Sequence, residues 1–343
     1  MTTDVPGRSP APTLESVASL AGVSRATASR VLNGSQRVSD AARDAVLLAV
    51  AQLSYVPNAA ARSLVRRRSD SIAFVVSEDE ERFFSDPFFA AVLRGSHAVV
   101  STAGLQVVFV VVSTPDDREQ FGRFASSGHV DGVILVSAHG DDPLPHRLRR
   151  SGVPVVLAGR PFGGDADAPY VDSDNVGGGR QAAGALLDAG RRRLATITGP
   201  ADMSASLDRY EGFTAVLRDA GAPLDPARVQ PGDFSVEGGR RAMERLLEVS
   251  PDLDGVFAAN DLMAVGALQV LTERGRSVPG DVAVIGFDDV ALAAAATPAL
   301  TTVRQRLDLL GRELAQLLLA AVDGGPSGAG VVLPTELVRR AST

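Results

Sequence analysis

Apolar residues recur at helical spacing near the front of the chain. Four of them stand at i, i+3, i+4 and i+7, which is one face of a helix: Leu14, Val17, Ala18 and Ala21. Gly22 interrupts the pattern with the backbone freedom that a tight turn needs, and Ser24 is a good N-cap for a second helix over 25–32. A third pattern, capped by Ser39, continues to Leu53. The front of the chain is therefore predicted to form three short helices.

From position 71 onward, short runs of Val, Ile and Leu alternate with amphipathic segments. The apolar runs predict strands at 72–76, 105–112, 132–136, 155–157, 194–198, 255–258 and 282–285. The other segments predict helices at 88–102, 118–126, 146–151, 177–189, 209–220, 238–247 and 262–274. Continuous apolar strands separated by helices indicate parallel sheets covered on both faces. Two such series predict two doubly wound α/β lobes, in which a ligand binds beyond the carboxyl ends of the strands.

The second predicted helix has an unusual outer face. Its outward residues are Arg25, Thr27, Ser29 and Arg30, and no acidic side chain lies among them. A small-residue helix, a glycine turn and a second helix with a basic, hydroxyl-bearing face are typical of a DNA-binding helix-turn-helix. The spacing alone also fits two amphipathic helices of an ordinary bundle.

A short stretch after these helices indicates a further DNA contact. Pro57 disfavours a helix at the residue before it, and Asn58 can cap a new helix of about two turns. Such a short helix is marginal in water. Because Leu64 lies on it with little to bury it, the helix needs a partner, such as a second copy of itself or DNA. The arginines at 66–68 would be a solvated cluster in isolation, but at this place we predict that they contact phosphate.

Charge is distributed unevenly along the 343 residues. The net charge is −7, yet residues 1–70 hold nine Arg and five acidic residues, a net of +4, which leaves −11 on the remainder. A basic front part on an acidic body suggests a separate DNA-binding domain.

The ends and the composition bear on location. Residues 1–12 are rich in Pro and Thr and are predicted to form a disordered tail, with no apolar run that would make them a secretory signal. No apolar segment is long enough to span a bilayer. The chain has no Cys, which suits a reducing compartment. We therefore predict a cytoplasmic protein without membrane contact.

Polar and aromatic residues gather directly after the predicted strands. Their carboxylates and amides can bind hydroxyl groups, their guanidinium groups can bridge two oxygens, and their aromatic faces can stack on a sugar ring. These candidates are Asp86, Phe88, Phe89, Ser137, Arg160, Arg209, Phe234, Asn260, Asp261 and Asp288. The set predicts a sugar or polyol site. Structural roles stay open, since the pairs 260–261 and 288–289 could cap helices, Arg209 could form a surface ion pair and Phe234 could belong to the core.

No pattern indicates catalysis or a cofactor. The four histidines, at 97, 129, 139 and 146, lack metal-ligand spacing, and no Ser-His-Asp order is apparent. The glycines at 177–179 are weak evidence for a phosphate loop, and we interpret them as tight helix–strand packing. A nucleotide-dependent enzyme is thus disfavoured. The sugar-binding protein of a transporter is disfavoured as well, because it needs an export signal and no basic domain. We predict no metal, no cofactor and no enzymatic activity.

Several segments match one family in combination. They are VASLAGVSRATASRVLNGSQRVSDAARDAV and LSYVPNAAARSL near the front, and VDGVIL, ITGP, FAANDLMAVGAL, VAVIGFDD, PALTTVRQ and LPTELVRR further on. From about residue 13 to its C-terminus the chain resembles the lac-repressor (LacI/GalR) family of bacterial transcription regulators. The resemblance implies a homodimer that reads a near-palindromic operator in double-stranded DNA.

The resemblance also implies the domain organisation and the DNA contacts. It implies a helix-turn-helix headpiece at 13–57, a hinge helix and linker at 58–70, and a periplasmic-binding-protein-like body for effector binding and dimerisation at 71–343. The first lobe of the body would comprise about 71–169 and 303–332, and the second about 170–302 and 333–343. Residues implied to contact DNA are Ser24, Arg25, Ala26, Thr27, Ser29, Arg30, Asn33, Ser39, Tyr55, Asn58, Ala61 and Leu64. Of these, Arg25, Ala26 and Arg30 would face base edges, and Leu64 would wedge into a minor-groove base step.

The effector of this family lies in the cleft between the lobes, where the candidates above fall, and the resemblance adds Gln305 at the crossover. The chain departs from many members at Gly159-Arg160, where they carry an acidic residue, and at Gly190-Arg191, where they carry Gly-His. The loop from 77 to 89 is also longer. The implied function is a repressor that a small sugar or glycoside releases from its operator. A regulator whose ligand tightens DNA binding is the alternative that the sequence leaves open.

Overall fold

The computed structural model describes residues 12–32, 35, 37–55, 68–140, 142–163, 168–325 and 330–343. Two compact units divide the chain, residues 1–69 and residues 70–343. We call the first unit the head and the second the body, and each is described by itself. The proposed hinge helix and all but the last residue of the proposed disordered tail lie outside the described residues.

The described residues of the head form three helices, as predicted. They are α1 (Leu14–Leu20), α2 (Arg25–Leu32) and α3 (Asp40–Leu53). A capping box between Thr13 and Ser16 begins α1, and Gly22, with φ +65°, makes the turn to α2. The small core of the head consists of Val17, Ala18, Ala28, Val31, Val46 and Ala49. Because α3 contributes residues to this core, it packs against both other helices and fixes their mutual angle.

The first lobe of the body is built on a six-stranded parallel sheet. Its strands are β1 (Ser71–Val76), β2 (Gln106–Val111), β3 (Gly132–Val136), β4 (Val155–Ala158), β5 (Tyr170–Ser173) and β11 (Val331–Leu333), in the order β11-β5-β4-β3-β1-β2. Its helices are α4 (Glu80–Ser85), α5 (Pro87–Thr102), α6 (Pro115–Phe124), α7 (Pro143–Arg150) and α13 (Leu307–Val322), with a π-helical turn at Ala125–His129. Alternate residues of β1 enter different cores, Phe74 with α5 and α13 and Val75 with α6 and α7.

The second lobe repeats this plan. Its strands are β6 (Leu194–Thr198), β7 (Val229–Pro231), β8 (Gly255–Ala258), β9 (Ala283–Asp288), β10 (Thr301–Arg304) and β12 (Glu336–Val338), in the order β12-β10-β9-β8-β6-β7. Only β12 runs antiparallel to its neighbour. Its helices are α8 (Asn175–Asp188), α9 (Ser204–Asp219), α10 (Val236–Val249), α11 (Asp261–Glu273) and α12 (Ala291–Ala295), with a 3₁₀ turn at Pro226–Arg228. Every predicted strand and helix of the body overlaps an observed element.

The lobe boundaries differ by a few residues from those the resemblance implied. Strand β5 belongs to the first sheet, so the chain first crosses after Ser173 and not at about 169. It returns after Arg304, the last residue of β10, and crosses again after Leu333, the last residue of β11. The physical reason is hydrogen bonding, because β5 pairs with β4, while β10 pairs with β9.

Close helix packing in the second lobe depends on glycine. A Cβ at Gly179 of α8 would lie 2.2 Å from the Arg209 carbonyl oxygen of α9, and one at Gly212 of α9 would lie 2.0 Å from the Val176 carbonyl oxygen. Gly178 faces the ring of Phe287 just as closely. The interpretation of this run as tight helix–strand packing holds for Gly178, which lies against Phe287 of β9. Gly179 and Gly212 instead pack α8 against α9, and this fixes Arg209 against α8.

The part of the chain that the structure describes contains no helix both long and apolar enough to cross a membrane.

Candidate effector cavity and DNA-binding surface

The outer face of α2 is available for contact with another molecule. Arg25, Ala26 and Arg30 are exposed, while Thr27 and Ser29 are partly buried. The Arg25 Nε lies 2.9 Å from Glu15 Oε1 of α1, and both side chains are more than half exposed. An exposed ion pair of this kind contributes little to stability. The guanidinium of Arg25 can therefore leave Glu15 and donate to an acceptor on another molecule.

Hydroxyl groups mark two helix starts in the head. Ser24 Oγ accepts a hydrogen bond from the Thr27 N–H at 3.1 Å, and Ser39 Oγ accepts one from the Ala42 N–H at 3.4 Å. The N-termini of α2 and α3 thus direct N–H groups and a positive dipole end outward, an arrangement that favours phosphate. Tyr55 is partly buried beyond the end of α3. The other residues assigned to DNA lie outside the described residues: Asn33, Asn58, Ala61 and Leu64.

Replacing Ser39 by Asp separates its two roles. Aspartate is as good an N-cap as serine, so we expect the thermal stability of the head to be unchanged. The added charge faces the place where phosphate is predicted, so DNA affinity should fall at all sequences, and most strongly at low salt. Ser39→Ala is the complementary control, because it adds no charge but removes the N-cap. We expect it to lower the stability of the head by about 1 kcal/mol. Fluorescence anisotropy with specific and random DNA, alongside thermal melts, measures both. Unchanged DNA affinity in Ser39→Asp would remove Ser39 from the contact surface.

A cavity of about 60 Å³ lies in the body between the two lobes. It is lined by eight of the residues predicted for the effector: Asp86, Phe88, Phe89, Ser137, Arg209, Phe234, Asn260 and Asp288. Arg82, Met203 and Ala205 complete the wall and were not predicted. The carboxyl ends of strands from both sheets thus meet at one place, as the doubly wound topology requires.

Arg209 is the buried cation of the cavity. Its Nε donates to Asn175 Oδ1 at 2.8 Å, and its Nη1 donates to the Ala259 carbonyl at 2.6 Å and lies 3.6 Å from Asp288 Oδ1. Its guanidinium carbon is 3.9 Å from the ring centroid of Phe287. Burial lowers the pKa of Arg209, and the nearby carboxylates oppose that shift. The alternative of a surface ion pair is therefore wrong, because the side chain is buried and held from several sides.

Two buried carboxyl groups face this cation. Burial raises the pKa of Asp288 to about 7, against the opposing attraction of Arg209. Burial likewise raises the pKa of Asp86, which also caps α5 by accepting a hydrogen bond from the Phe88 N–H at 2.9 Å. Near neutral pH, Asp288 is therefore poised between an acceptor-only carboxylate and a carboxylic acid that can also donate.

Several wall residues adopt backbone angles that side chains rarely take. Ser137 has φ +61°, Phe234 has φ +62° and Asp288 has φ +108°. Such conformations cost on the order of 1 kcal/mol or more each and tend to occur at functional sites. A Cβ at Gly199 would overlap the ring of Phe234, so this glycine leaves room for the ring in the wall. The cavity is thus shaped by strained positions as well as by residue type.

Asn260 and Phe234 each have a structural role in the second lobe and also line the cavity. Asn260 caps α11 by accepting from the Met263 N–H at 2.9 Å, and its Nδ2 donates to the Phe234 carbonyl at 2.9 Å. Phe234 is nearly buried and packs with the core of the second lobe while its ring lines the cavity. In both cases the structural role fixes the position of a wall residue.

Three predicted effector residues do not line the cavity. Both oxygens of Asp261 are used inside the lobe, where Oδ1 accepts from Thr302 Oγ1 at 2.5 Å and Oδ2 from the Val290 N–H at 2.9 Å. Gln305 lies behind the wall, and its Nε2 donates to Asp288 Oδ1 at 2.6 Å, so it positions that carboxyl group. Arg160 crosses between the lobes instead, with its Nη2 2.6 Å from Asp208 Oδ1.

A second contact between the lobes was missed by sequence reasoning. His139, which follows β3, places Nε2 3.1 Å from Glu78 Oε1 in its own lobe and Nδ1 3.0 Å from Asp202 Oδ2 in the other lobe. The Gly140 N–H donates to the Asp202 carbonyl at 2.8 Å beside it. The hydrogen bond to Glu78, more than any other influence, raises the pKa of His139. No local sequence pattern marks this pairing, because its partners lie 61 and 63 positions away along the chain.

The His139 bridge predicts a pH-dependent stability. Because the pKa of His139 is raised in the folded protein, its contribution is complete below the unfolded pKa of about 6.5 and is lost as pH rises through the folded pKa. We expect His139→Gln to cost about 1 kcal/mol at pH about 6 and progressively less at higher pH. Urea unfolding at several pH values measures this, with the exposed His146→Gln as control. A loss that does not change with pH would contradict the charged bridge.

Comparison with known proteins identifies the class. Residues 13–58 match the family described as bacterial regulatory proteins, lacI family, and residues 183–343 match a periplasmic binding protein-like domain. The HTH-type transcriptional regulator CelR of Thermobifida fusca is 48% identical over 333 residues, which cover 96% of this chain and 98% of CelR. The HTH-type transcriptional repressor CytR of Escherichia coli K12 is 32% identical over 97% of this chain and 96% of CytR.

Solved structures agree along nearly the whole chain. A CelR–cellobiose complex is similar with a TM-score of 0.79 and 46% identity, covering 97% of this chain and 100% of that one. The lac repressor dimer bound to operator and the anti-inducer ONPF is similar with a TM-score of 0.84 and 25% identity, covering 97% and 99%.

The head with a helix-turn-helix and the two-lobed α/β body define a DNA-binding transcriptional regulator, and not an enzyme. The chain belongs to the LacI family of bacterial regulatory proteins. The resemblance drawn from its motifs is thereby confirmed.

Proposed function

We propose that this chain is a repressor whose operator binding is relieved by a neutral sugar held between the lobes of its body. The observation that carries the proposal is the composition of the cavity wall. It brings together carboxyl, guanidinium, amide and hydroxyl groups with three phenylalanine rings. Polar groups of this kind bind sugar hydroxyls, and aromatic faces pack on the C–H surface of a sugar ring.

The charges of the wall favour a neutral ligand. Two cations, Arg82 and Arg209, are offset by the carboxyl groups of Asp86 and Asp288. A phosphate or carboxylate ligand would bring a further negative charge against two buried acids. A hydroxyl group can instead donate to a carboxylate and accept from a guanidinium. Because the similar CelR structure is a complex with cellobiose, a β-linked glucose disaccharide is the first candidate.

Binding requires the cavity to widen. A volume of about 60 Å³ is far below the roughly 300 Å³ or more of a pocket that encloses a small ligand. The lobes must therefore part to admit a sugar, and contacts such as Arg160–Asp208 and His139–Asp202 must rearrange. A sugar shifts the equilibrium between lobe arrangements only by its different affinity for each arrangement.

For the DNA side, we propose a cytoplasmic homodimer in which two α2 helices read the half-sites of a near-palindromic operator. The lac repressor structure, a dimer bound to operator, supports this assembly. Residues 58–65 would form a hinge helix, and Leu64 would open a minor-groove base step. In this scheme, the sugar changes the spacing of the two hinge helices and so withdraws Leu64 from DNA.

The test combines operator binding with a sugar panel. An operator is selected from a random DNA library, and its affinity is measured by fluorescence anisotropy without and with glucose, cellobiose, maltose, lactose and xylobiose. We expect one of these sugars to weaken specific binding at least tenfold. A sugar that strengthens binding would instead assign the opposite sign of regulation. Absence of sugar binding by calorimetry across the panel would overturn the proposed ligand class.

A further inference from the structure

Arg82 lies on a helix for which the sequence predicted only a loop. Helix α4 is capped by Asp79, whose Oδ1 accepts from the Arg82 N–H at 2.7 Å. At the other end of α4, the backbone N–H of Asp86 donates to the Arg82 carbonyl, and the Asp86 side chain caps α5. These contacts at both ends of the short helix fix the position of Arg82 at the cavity wall.

From that position Arg82 reaches the opposite lobe. Its Nη1 donates to the carbonyl oxygen of Asp233, which directly precedes Phe234. Its guanidinium carbon is 5.2 Å from the centroid of the Phe234 ring, while Arg209 lies 5.8 Å from the same ring. Both cations therefore lie near the Phe234 ring, and α4 contributes to the cavity wall from the first lobe.

The guanidinium of Arg82 has unused donor capacity at the cavity. Its Nε is occupied by Glu78, whose Oε1 lies 3.0 Å away. Its Nη2 is 3.9 Å from Asp86 Oδ2, which is too far for a hydrogen bond. Because most buried polar groups are hydrogen-bonded, an oxygen of a ligand in the cavity is the acceptor that the Nη2 group lacks.

We propose that Arg82 is a ligand-binding and specificity-determining residue, which donates to a sugar hydroxyl and joins the covering helix α4 to the second lobe. The inference rests on the proposed sugar effector and deepens it. Arg82 provides a rigid fork of donors from the first lobe, and Arg209 provides another from the second lobe. A ligand without a hydroxyl at the place Arg82 reaches leaves this guanidinium unpaired and is rejected.

The first experiment compares variants of α4 in the full-length protein. Arg82→Met keeps the length of the side chain without its donors, Arg82→Lys keeps the charge without the fork, and Glu81→Gln changes an exposed residue of the same helix. The best sugar of the panel above is titrated into each protein by calorimetry. We expect an affinity loss of about 10- to 100-fold for Arg82→Met, a smaller loss for Arg82→Lys and none for Glu81→Gln.

A second measurement separates direct contact from a merely structural role. The same proteins are titrated with a series of monodeoxy derivatives of that sugar. If Arg82 binds one hydroxyl, the derivative that lacks it loses affinity for the wild type but not for Arg82→Met, because the two changes remove the same interaction. Circular dichroism melts show whether the Arg82→Met fold is retained.

The outcomes are distinguishable. If no sugar binds the wild type, the proposed function fails and this inference fails with it. If a sugar binds the wild type and Arg82→Met equally well, the assignment of Arg82 is wrong while the proposed function stands. If every deoxy derivative loses affinity by the same factor for the wild type and for Arg82→Met, a direct contact between Arg82 and a hydroxyl is likewise excluded.

Discussion

Arg209→Met is expected to destabilise the body by about 3 to 5 kcal/mol and to abolish the response to sugar. Removing one partner of a buried ion pair leaves the other charge uncompensated, and this is the costly way to break such a pair. Here the substitution removes the cation that faces Asp288 and leaves Asn175 Oδ1 and the Ala259 carbonyl without the donor that Arg209 supplies. Differential scanning calorimetry and sugar titration measure the two effects.

The cost should depend on pH in a definite direction. Arg209 lowers the pKa of Asp288, which burial raises to about 7, so the variant raises that pKa further. Folding then keeps Asp288 protonated to higher pH than in the wild type, and the loss of stability grows as pH rises through about 7. At lower pH Asp288 is neutral in both proteins, and the remaining loss comes from the other hydrogen bonds.

Two further variants test the cause. Arg209→Met combined with Asp288→Asn removes both charges, so we expect it to recover part of the stability. Arg218→Met, on the exposed side of the same helix, should change neither stability nor sugar binding. If the loss of stability in the double variant equals the sum of the losses in the two single variants, the ion pair does not cause the loss in Arg209→Met.

Much of the site was predictable because the fold itself determines it. Parallel strands end at one edge of a sheet, so residues directly after β6 to β9 must lie near one another. That rule, with residue chemistry, selected Asn260 and Asp288, which the structure places in the wall of the cavity. It could not separate Asn260 from its neighbour Asp261, because the direction in which a helix starts decides which of two adjacent side chains faces the cavity. The structure turns Asp261 inward to Thr302.

Other site residues depend on contacts that leave no local pattern. Arg82 lies in a segment without a hydrophobic period, and its place in the cavity wall depends on a hydrogen bond to the carbonyl of Asp233 in the other lobe. Arg160 has the chemistry of a sugar ligand, but a carboxylate on α9, Asp208, takes its guanidinium. Residues that follow the strands at the edge of a sheet are thus predictable from the sequence. Contacts between side chains of the two lobes across the cleft are not.

Arg25→Ala is expected to relax base preference at one position of each operator half-site, with a loss of about 1 to 3 kcal/mol of discrimination. The guanidinium of Arg25 is exposed at the start of α2 and takes no part in the core of the head. An Arg side chain can donate to guanine O6 and N7 together. Sequencing of DNA selected from a randomised operator library measures the preference. Binding to random DNA should weaken by a smaller factor that is the same for all sequences, because one positive charge near the phosphates is lost.

Glu15→Gln is the matched control, because it removes the ion-pair partner of Arg25 and leaves the guanidinium in place. Its base preference should equal that of the wild type, and its affinity for all DNA should rise slightly, since one negative charge near the phosphates is gone. If Arg25→Ala selects the same operator sequence as the wild type, Arg25 does not read a base. If Glu15→Gln alters the selected sequence, the ion pair with α1 orients Arg25 at the base edge, and specificity in this head is set jointly by α1 and α2.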